Sequence, residues 1–237
     1  MSTFKFFLLA SLLVWRVEAA AAKAPYLIFV HGGAWVSGSP DDYVGLAATL
    51  RARGFCVVLA RYSLAPDVKH PVPVRELNET IAKTARAQDA NCDPGRIFLV
   101  GHSAGAHMIA FWNTTFAHSA VKGLIGLEGI YDLPLLLKKW PAYETQFINA
   151  AFGRERESAS PARLEPKSKT PWLLFQSKDD ELVDRAQTLT FEKFLGQQKV
   201  SSQFVELEGS HFAVVGQLEK PESKISKALA AFIARFK

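Results

Sequence analysis

Ile97-Phe98-Leu99-Val100 runs straight into Gly101-His102-Ser103-Ala104-Gly105-Ala106-His107, and this stretch decides the fold. The short apolar run bounded by turn residues predicts a buried strand. Residues Ala104–Thr115 predict the helix that follows. The junction between them fits the pattern G-x-S-x-G, which has a physical meaning only at a strand-to-helix turn. There the chain bends so sharply that the neighbours of the serine must be almost free of side chain, as Gly101 and Gly105 are. The hydroxyl of Ser103 is then left standing at a helix N-terminus, where backbone N–H groups favour developing negative charge.

Outward from this junction the chain alternates between strands and helices. Tyr26–Val30, Phe55–Ala60, Leu124–Leu127, Trp172–Phe175 and Gln203–Leu207 read as further strands. Asp41–Arg53, capped by Asp41 or Asp42 and stopped by Gly54, reads as a helix. So do Val74–Ala90, Arg185–Gln198 and Glu222–Lys237, while Asp93-Pro94-Gly95 reads as a turn. Apolar strands joined by helical crossovers predict an α/β fold: a mostly parallel sheet with helices on both faces. Residues 132–169 are long for a connection and hold Trp140, Tyr143, Phe147 and Phe152. They are expected to form a short cap-like insertion in a single domain spanning 1–237.

Composition narrows the classes. The chain has 237 residues, 49% of them hydrophobic, enough for one buried core. The net charge is +5, but Lys and Arg are scattered among Asp and Glu, so no nucleic-acid surface is expected. Cys56 and Cys92 are too few for a disulfide framework and have no metal-binding spacing, so free thiols are expected. At the N-terminus, Phe6–Val14 followed by Ala19–Ala22 permits two readings. One is a secretory signal; the other, preferred here, is a core strand over Leu12–Val17. A cytoplasmic protein is therefore expected. If the segment is a signal the protein is secreted, and the sequons at Asn78 and Asn113 become glycan sites. The apolar run is too short and interrupted for a membrane span.

In a parallel sheet the site forms beyond the carboxyl ends of the strands, which directs attention to the loops starting at His31, Gly101, Gln176 and Gly209. A serine hydroxyl is a poor nucleophile without a base, and in this class of site the order along the chain is Ser, acid, His. His211, directly after Gln203–Leu207, lies where the base belongs. Asp179, Asp180 and Asp184 all follow Trp172–Phe175; Asp184 also suits a helix cap and Asp179 a solvated loop. Glycines in His31-Gly32-Gly33-Ala34-Trp35 let N–H groups turn towards a substrate oxygen. Gly33 and Ala34, with Ala104, are the expected oxyanion donors, and Gly32 shapes the loop. Trp35 either lines the substrate pocket or braces its loop.

The pairing of HGGAW with GHSAGAH resembles the kynurenine formamidase (arylformamidase) family of α/β-hydrolases. Gly129-Ile130-Tyr131-Asp132-Leu133 and Ser160-Pro161 are similar to later segments of that family. Gln176–Val183 resembles its G-x-x-D-x-x-V pattern, with Ser177 in the glycine place, and that register selects Asp180. The resemblance implies an α/β-hydrolase fold and a Ser103–Asp180–His211 triad. It implies hydrolysis of N-formyl-L-kynurenine to L-kynurenine and formate through a formyl-enzyme, with no cofactor and no metal. A small-molecule substrate is the expected partner, with a homodimer left open and neither nucleic acid nor membrane. Related carboxylesterases share these motifs, so a carboxylesterase of small acyl esters is the alternative. A non-catalytic binding protein on the same scaffold is the alternative from another class.

Overall fold

The computed structural model describes residues 22–236. The first strand, β1 (Ala24–Val30), leads through a 3-10 turn at Pro40–Tyr43 to α1 (Val44–Ala52) and β2 (Cys56–Leu59). Next come α2 (Val72–Thr84), β3 (Cys92–His102), α3 (Ala104–Thr115) and β4 (Val121–Leu127). Residues 132–169 hold α4 (Leu133–Lys139), a π-helical turn at Glu144–Ile148 and α5 (Asn149–Phe152). The chain then runs through β5 (Trp172–Ser177), α6 (Ala186–Gln197), β6 (Ser202–Leu207), α7 (Ala213–Leu218) and α8 (Lys224–Ala234).

Among the described residues six strands form one sheet in the order β2-β1-β3-β4-β5-β6, every pair parallel. Alternation along each strand divides the core in two. Tyr26, Ile28 and Val30 of β1 face one layer, with Leu77 and Ile81 of α2, Met108 and Trp112 of α3, and Phe191 of α6. Leu27 and Phe29 face the other, with Leu46 and Leu50 of α1, Val214 of α7 and Leu229 and Phe232 of α8. Both faces of the sheet are thus covered, which is why the strands read as continuous apolar runs. Among the described residues no helix is long and apolar enough to cross a membrane.

Several local expectations are corrected. The cap of the first helical segment is Ser39 rather than Asp41 or Asp42. Its side chain accepts from the Asp41 N–H, while Asp42 bonds back to the Ser39 N–H in a capping box. Helix α2 stops at Thr84, short of the expected Ala90. Asp93-Pro94-Gly95 does turn, with Asp93 accepting from the Gly95 N–H at 2.9 Å. The turn lies within β3, though: pairing with β1 jumps from Asp93 to Ile97 and then resumes. The strand expected over Leu12–Val17, and the competing signal segment, lie outside the described residues.

The largest correction concerns the cysteines. Cys56 and Cys92 form a disulfide, with Cα atoms 6.0 Å apart. They stand at the first residues of β2 and β3, which flank β1. Their separation of 36 residues hides that proximity. Both sequon asparagines make side-chain contacts within the fold. Asn113 is 2% exposed and bonds Ser168, and Asn78 accepts from the Trp112 indole N–H at 3.0 Å.

Candidate active site

Ser103 sits between β3 and α3 at φ 55° and ψ −117°, a backbone posture that costs an ordinary residue about 1–3 kcal/mol. The fold holds it there. The Ser103 N–H donates to the Leu127 carbonyl, and its carbonyl accepts from the Ala106 and His107 N–H groups. The need for Gly105 is steric: a Cβ there would lie 2.1 Å from the Val30 carbonyl oxygen. Only glycine lets α3 start this close to β1.

His211 and Asp180 come from the loops after β6 and β5. The imidazole Nδ1 lies 2.8 Å from Asp180 Oδ2, with side chains 2% and 1% exposed. Asp180 is fixed from several sides. Its Oδ1 accepts from the Leu182 and Val183 N–H groups, and its Oδ2 also accepts from Gln176 Nε2. Gln176 is held in turn by Thr188 and the Val183 carbonyl. Burial opposes ionisation of Asp180, but hydrogen bonds from His211 and Glu128, the imidazole charge and the Val183 N–H outweigh it, leaving its pKa at about 2. The main chain of His211 is anchored too: its N–H donates to Glu181, and its carbonyl lies 3.1 Å from His102 Nε2. Burial, reinforced by the neighbouring His211, lowers the His102 pKa to about 3. His102 is therefore neutral and offers its Nε2–H to that carbonyl.

The rival carboxylates are placed elsewhere. Asp184 accepts from the Ala186 N–H at the start of α6 and pairs with Lys139. Asp179 is exposed. Of the other histidines, His107 is buried with Nε2 against the Ala159 carbonyl, and His31 stacks on Tyr62 beneath the glycine loop.

The loop after β1 turns through three consecutive left-handed residues, Gly33 (φ 108°), Ala34 (φ 51°) and Trp35 (φ 62°). Gly33 and Ala34 line a cleft of about 330 Å³ together with Ser103 and His211. Its far wall comes from Ile130, Tyr143, Gln146, Phe147, Leu182 and Phe212. Among the described residues no Lys, Arg, Asp or Glu lines it. Gly32 and Ala104 are buried beside it. Trp35 is not among the lining residues. It is 4% exposed and packs on His107, Phe147 and Phe152, so of its two expected roles the geometry gives it bracing.

Inspection of the sequence passed over Glu128. Its carboxylate accepts from the Ser177 N–H at 2.9 and 3.1 Å. Glu128, Asp180 and His211 have side-chain atoms within 4.8 Å of one another. Its signal in the sequence is an acid directly after the apolar run Leu124–Leu127, at a strand end beside the elbow.

The sheet, the elbow and the neighbouring His–Asp pair define a hydrolase of the α/β-hydrolase fold, and comparisons with known proteins agree. The BD-FAE family model matches residues 14–195, and the chain belongs to that family. A kynurenine formamidase of Meyerozyma guilliermondii is 31% identical over 72% of this chain and 75% of its own. The zebrafish (Danio rerio) kynurenine formamidase is 24% identical over 94% and 77%. An esterase of Gibberella moniliformis is 26% identical over 95% and 79%. Among solved structures, esterase B of Lactobacillus rhamnosis superposes with a TM-score of 0.77 at 18% identity, over 90% of this chain and 77% of that one.

Proposed function

We propose that Ser103 is the nucleophile of an arylformamidase, with His211 its base and Asp180 the acid that orients the imidazole. The Asp180 contact holds the Nδ1–H tautomer, so Nε2 is free to take the Ser103 proton. Ser103 then attacks the formyl carbonyl of N-formyl-L-kynurenine. The oxyanion is held by the N–H groups of Gly33, Ala34 and Ala104, each worth about 3 kcal/mol in such sites. His211 returns the proton to the departing arylamine, and water releases formate from the formyl-enzyme. The chain is read as one domain with residues 132–169 as its cap, since Tyr143 and Phe147 of that segment wall the cleft where the aryl ring would lie. The observation that carries this reading is the shared cleft: the elbow serine, the Asp-held imidazole and the glycine loop open onto one aromatic pocket.

A carboxylesterase is the second reading, favoured by the lack of Lys or Arg among the cleft residues to meet a substrate carboxylate. Comparing kcat/KM on N-formyl-L-kynurenine and p-nitrophenyl acetate, with Ser103→Ala as blank, separates the two. A Ser103-dependent preference for the formamide supports the first reading; cleavage of the ester alone leaves the second. The disulfide supports an oxidising compartment, and therefore the secreted alternative over the cytoplasmic one. An intact mass of the protein purified from its native cell tests this: a bridged, shortened chain is expected.

A further inference from the structure

A buried acid that the proposed reaction does not use stands at the end of β4. Glu128 is 0% exposed and takes φ 49°, a left-handed posture that persists only where surroundings impose it. Its N–H donates to the Phe175 carbonyl of β5, and its carboxyl meets the Ser177 N–H and Asp180. It has no ion-pair partner among the described residues. The titratable groups facing it are Asp180 and His211 from the loops after β5 and β6, and Tyr131 from its own segment; His102 and Glu181 face His211 from behind.

Two carboxyl groups whose oxygens lie within 4.8 Å of each other, out of water, do not both ionise. The charge settles where more donors meet it. Asp180 accepts from Leu182 N–H, Val183 N–H, Gln176 Nε2 and His211 Nδ1; among the described residues Glu128 accepts only from Ser177 N–H. We infer that Glu128 is a positioning residue: a permanently neutral acid that donates a hydrogen bond to Asp180, fixing the oxygen that faces His211 and restraining how strongly Asp180 favours the imidazolium. This inference rests on the triad assignment above. Burial first, then the contact with Asp180, pushes the Glu128 pKa up to about 10, in keeping with that role.

The test uses p-nitrophenyl acetate, so the choice between formamide and ester does not enter. Glu128→Gln keeps a donor and is expected to hold kcat/KM within about three-fold of wild type, with the acid limb of its pH profile in place. Glu128→Leu removes the donor. It should lose on the order of ten-fold and shift the acid limb upward, because an unrestrained Asp180 stabilises the imidazolium. Melting temperature against pH is the second readout, and it stands even if the leucine variant fails to fold. A neutral acid in the native state and an ionised one in the unfolded state make wild type lose stability as pH rises above about 4.5. Glu128→Gln should lack that slope. The inference is overturned if the glutamine variant falls as far as the leucine variant, if the leucine variant leaves rate and acid limb unmoved, or if the melting slopes coincide. Full activity in Ser103→Ala would instead sink the triad assignment itself.

Discussion

Asp180→Asn perturbs the proposed mechanism at its most tightly specified point. Asp180 Oδ1 is held by two backbone N–H groups at 2.9 and 2.8 Å, so an asparagine keeps its carbonyl oxygen there. Its amide nitrogen then takes the place of Oδ2, facing two other donors, Gln176 Nε2 and His211 Nδ1, each 2.8 Å away. The imidazole escapes by moving its proton to Nε2, the nitrogen that must accept from Ser103. The fold survives, since the loop bonds remain, but the base is in the wrong tautomer. Equivalent changes in other Ser-His-Asp enzymes lower kcat by about 10⁴, or about 5 kcal/mol. The assay is steady-state kcat on p-nitrophenyl acetate, with Asp179→Asn and Asp184→Asn as controls expected to stay within a few-fold. An Asp180→Asn enzyme that keeps more than about a tenth of wild-type kcat, or a larger loss at Asp184, refutes the assignment. The same carboxylate predicts acid sensitivity. Because its pKa is depressed in the folded state, its stabilisation is present above about pH 4 and is lost as pH falls towards 2.

Other tests probe the surroundings. Ser103→Gly should abolish turnover yet raise stability by about 1 kcal/mol, since glycine accepts φ 55° without strain; a lower melting temperature would contradict the strained elbow. Trp35→Leu removes a buried brace, so a loss of about 2 kcal/mol in stability and equal falls in kcat on formamide and ester are expected. A rise in KM for the formamide alone, at unchanged melting temperature, would restore Trp35 to the pocket. Cys92→Ser opens a loop of 36 residues and should cost about 4 kcal/mol, seen in denaturant unfolding; thiol titration of unfolded, unreduced wild type should find no free thiol among these two.

The sheet was legible because its central strands are buried on both faces and read as apolar runs, and α3 was legible to its ends. Ser103, His211 and the glycine loop could be found because elbow, chain order and strand ends are local features. Asp180 needed a family pattern to separate it from Asp179 and Asp184. The structure supplies the physical reason for that register: the Leu182 and Val183 N–H groups return to bond Asp180. Glu128 escaped because its meaning depends on Ser177 and Asp180, which lie far along the chain. The disulfide escaped for a similar reason, since composition counts cysteines but does not show that β2 and β3 begin side by side. Ser39 was passed over as a cap because two aspartates followed it, and a reciprocal capping box shows only when both halves are read together.

The bridge between Cys56 and Cys92 fastens the rim of the sheet where its strands begin, whereas Ser103, Asp180 and His211 all follow strand ends at the opposite rim. Durability and the proposed chemistry therefore lie at opposite edges of one molecule. A reduced population should turn over substrate at the same rate per folded molecule and merely survive for less time. Surroundings that cut the bridge would thus govern how long the catalyst lasts, while leaving what it does untouched.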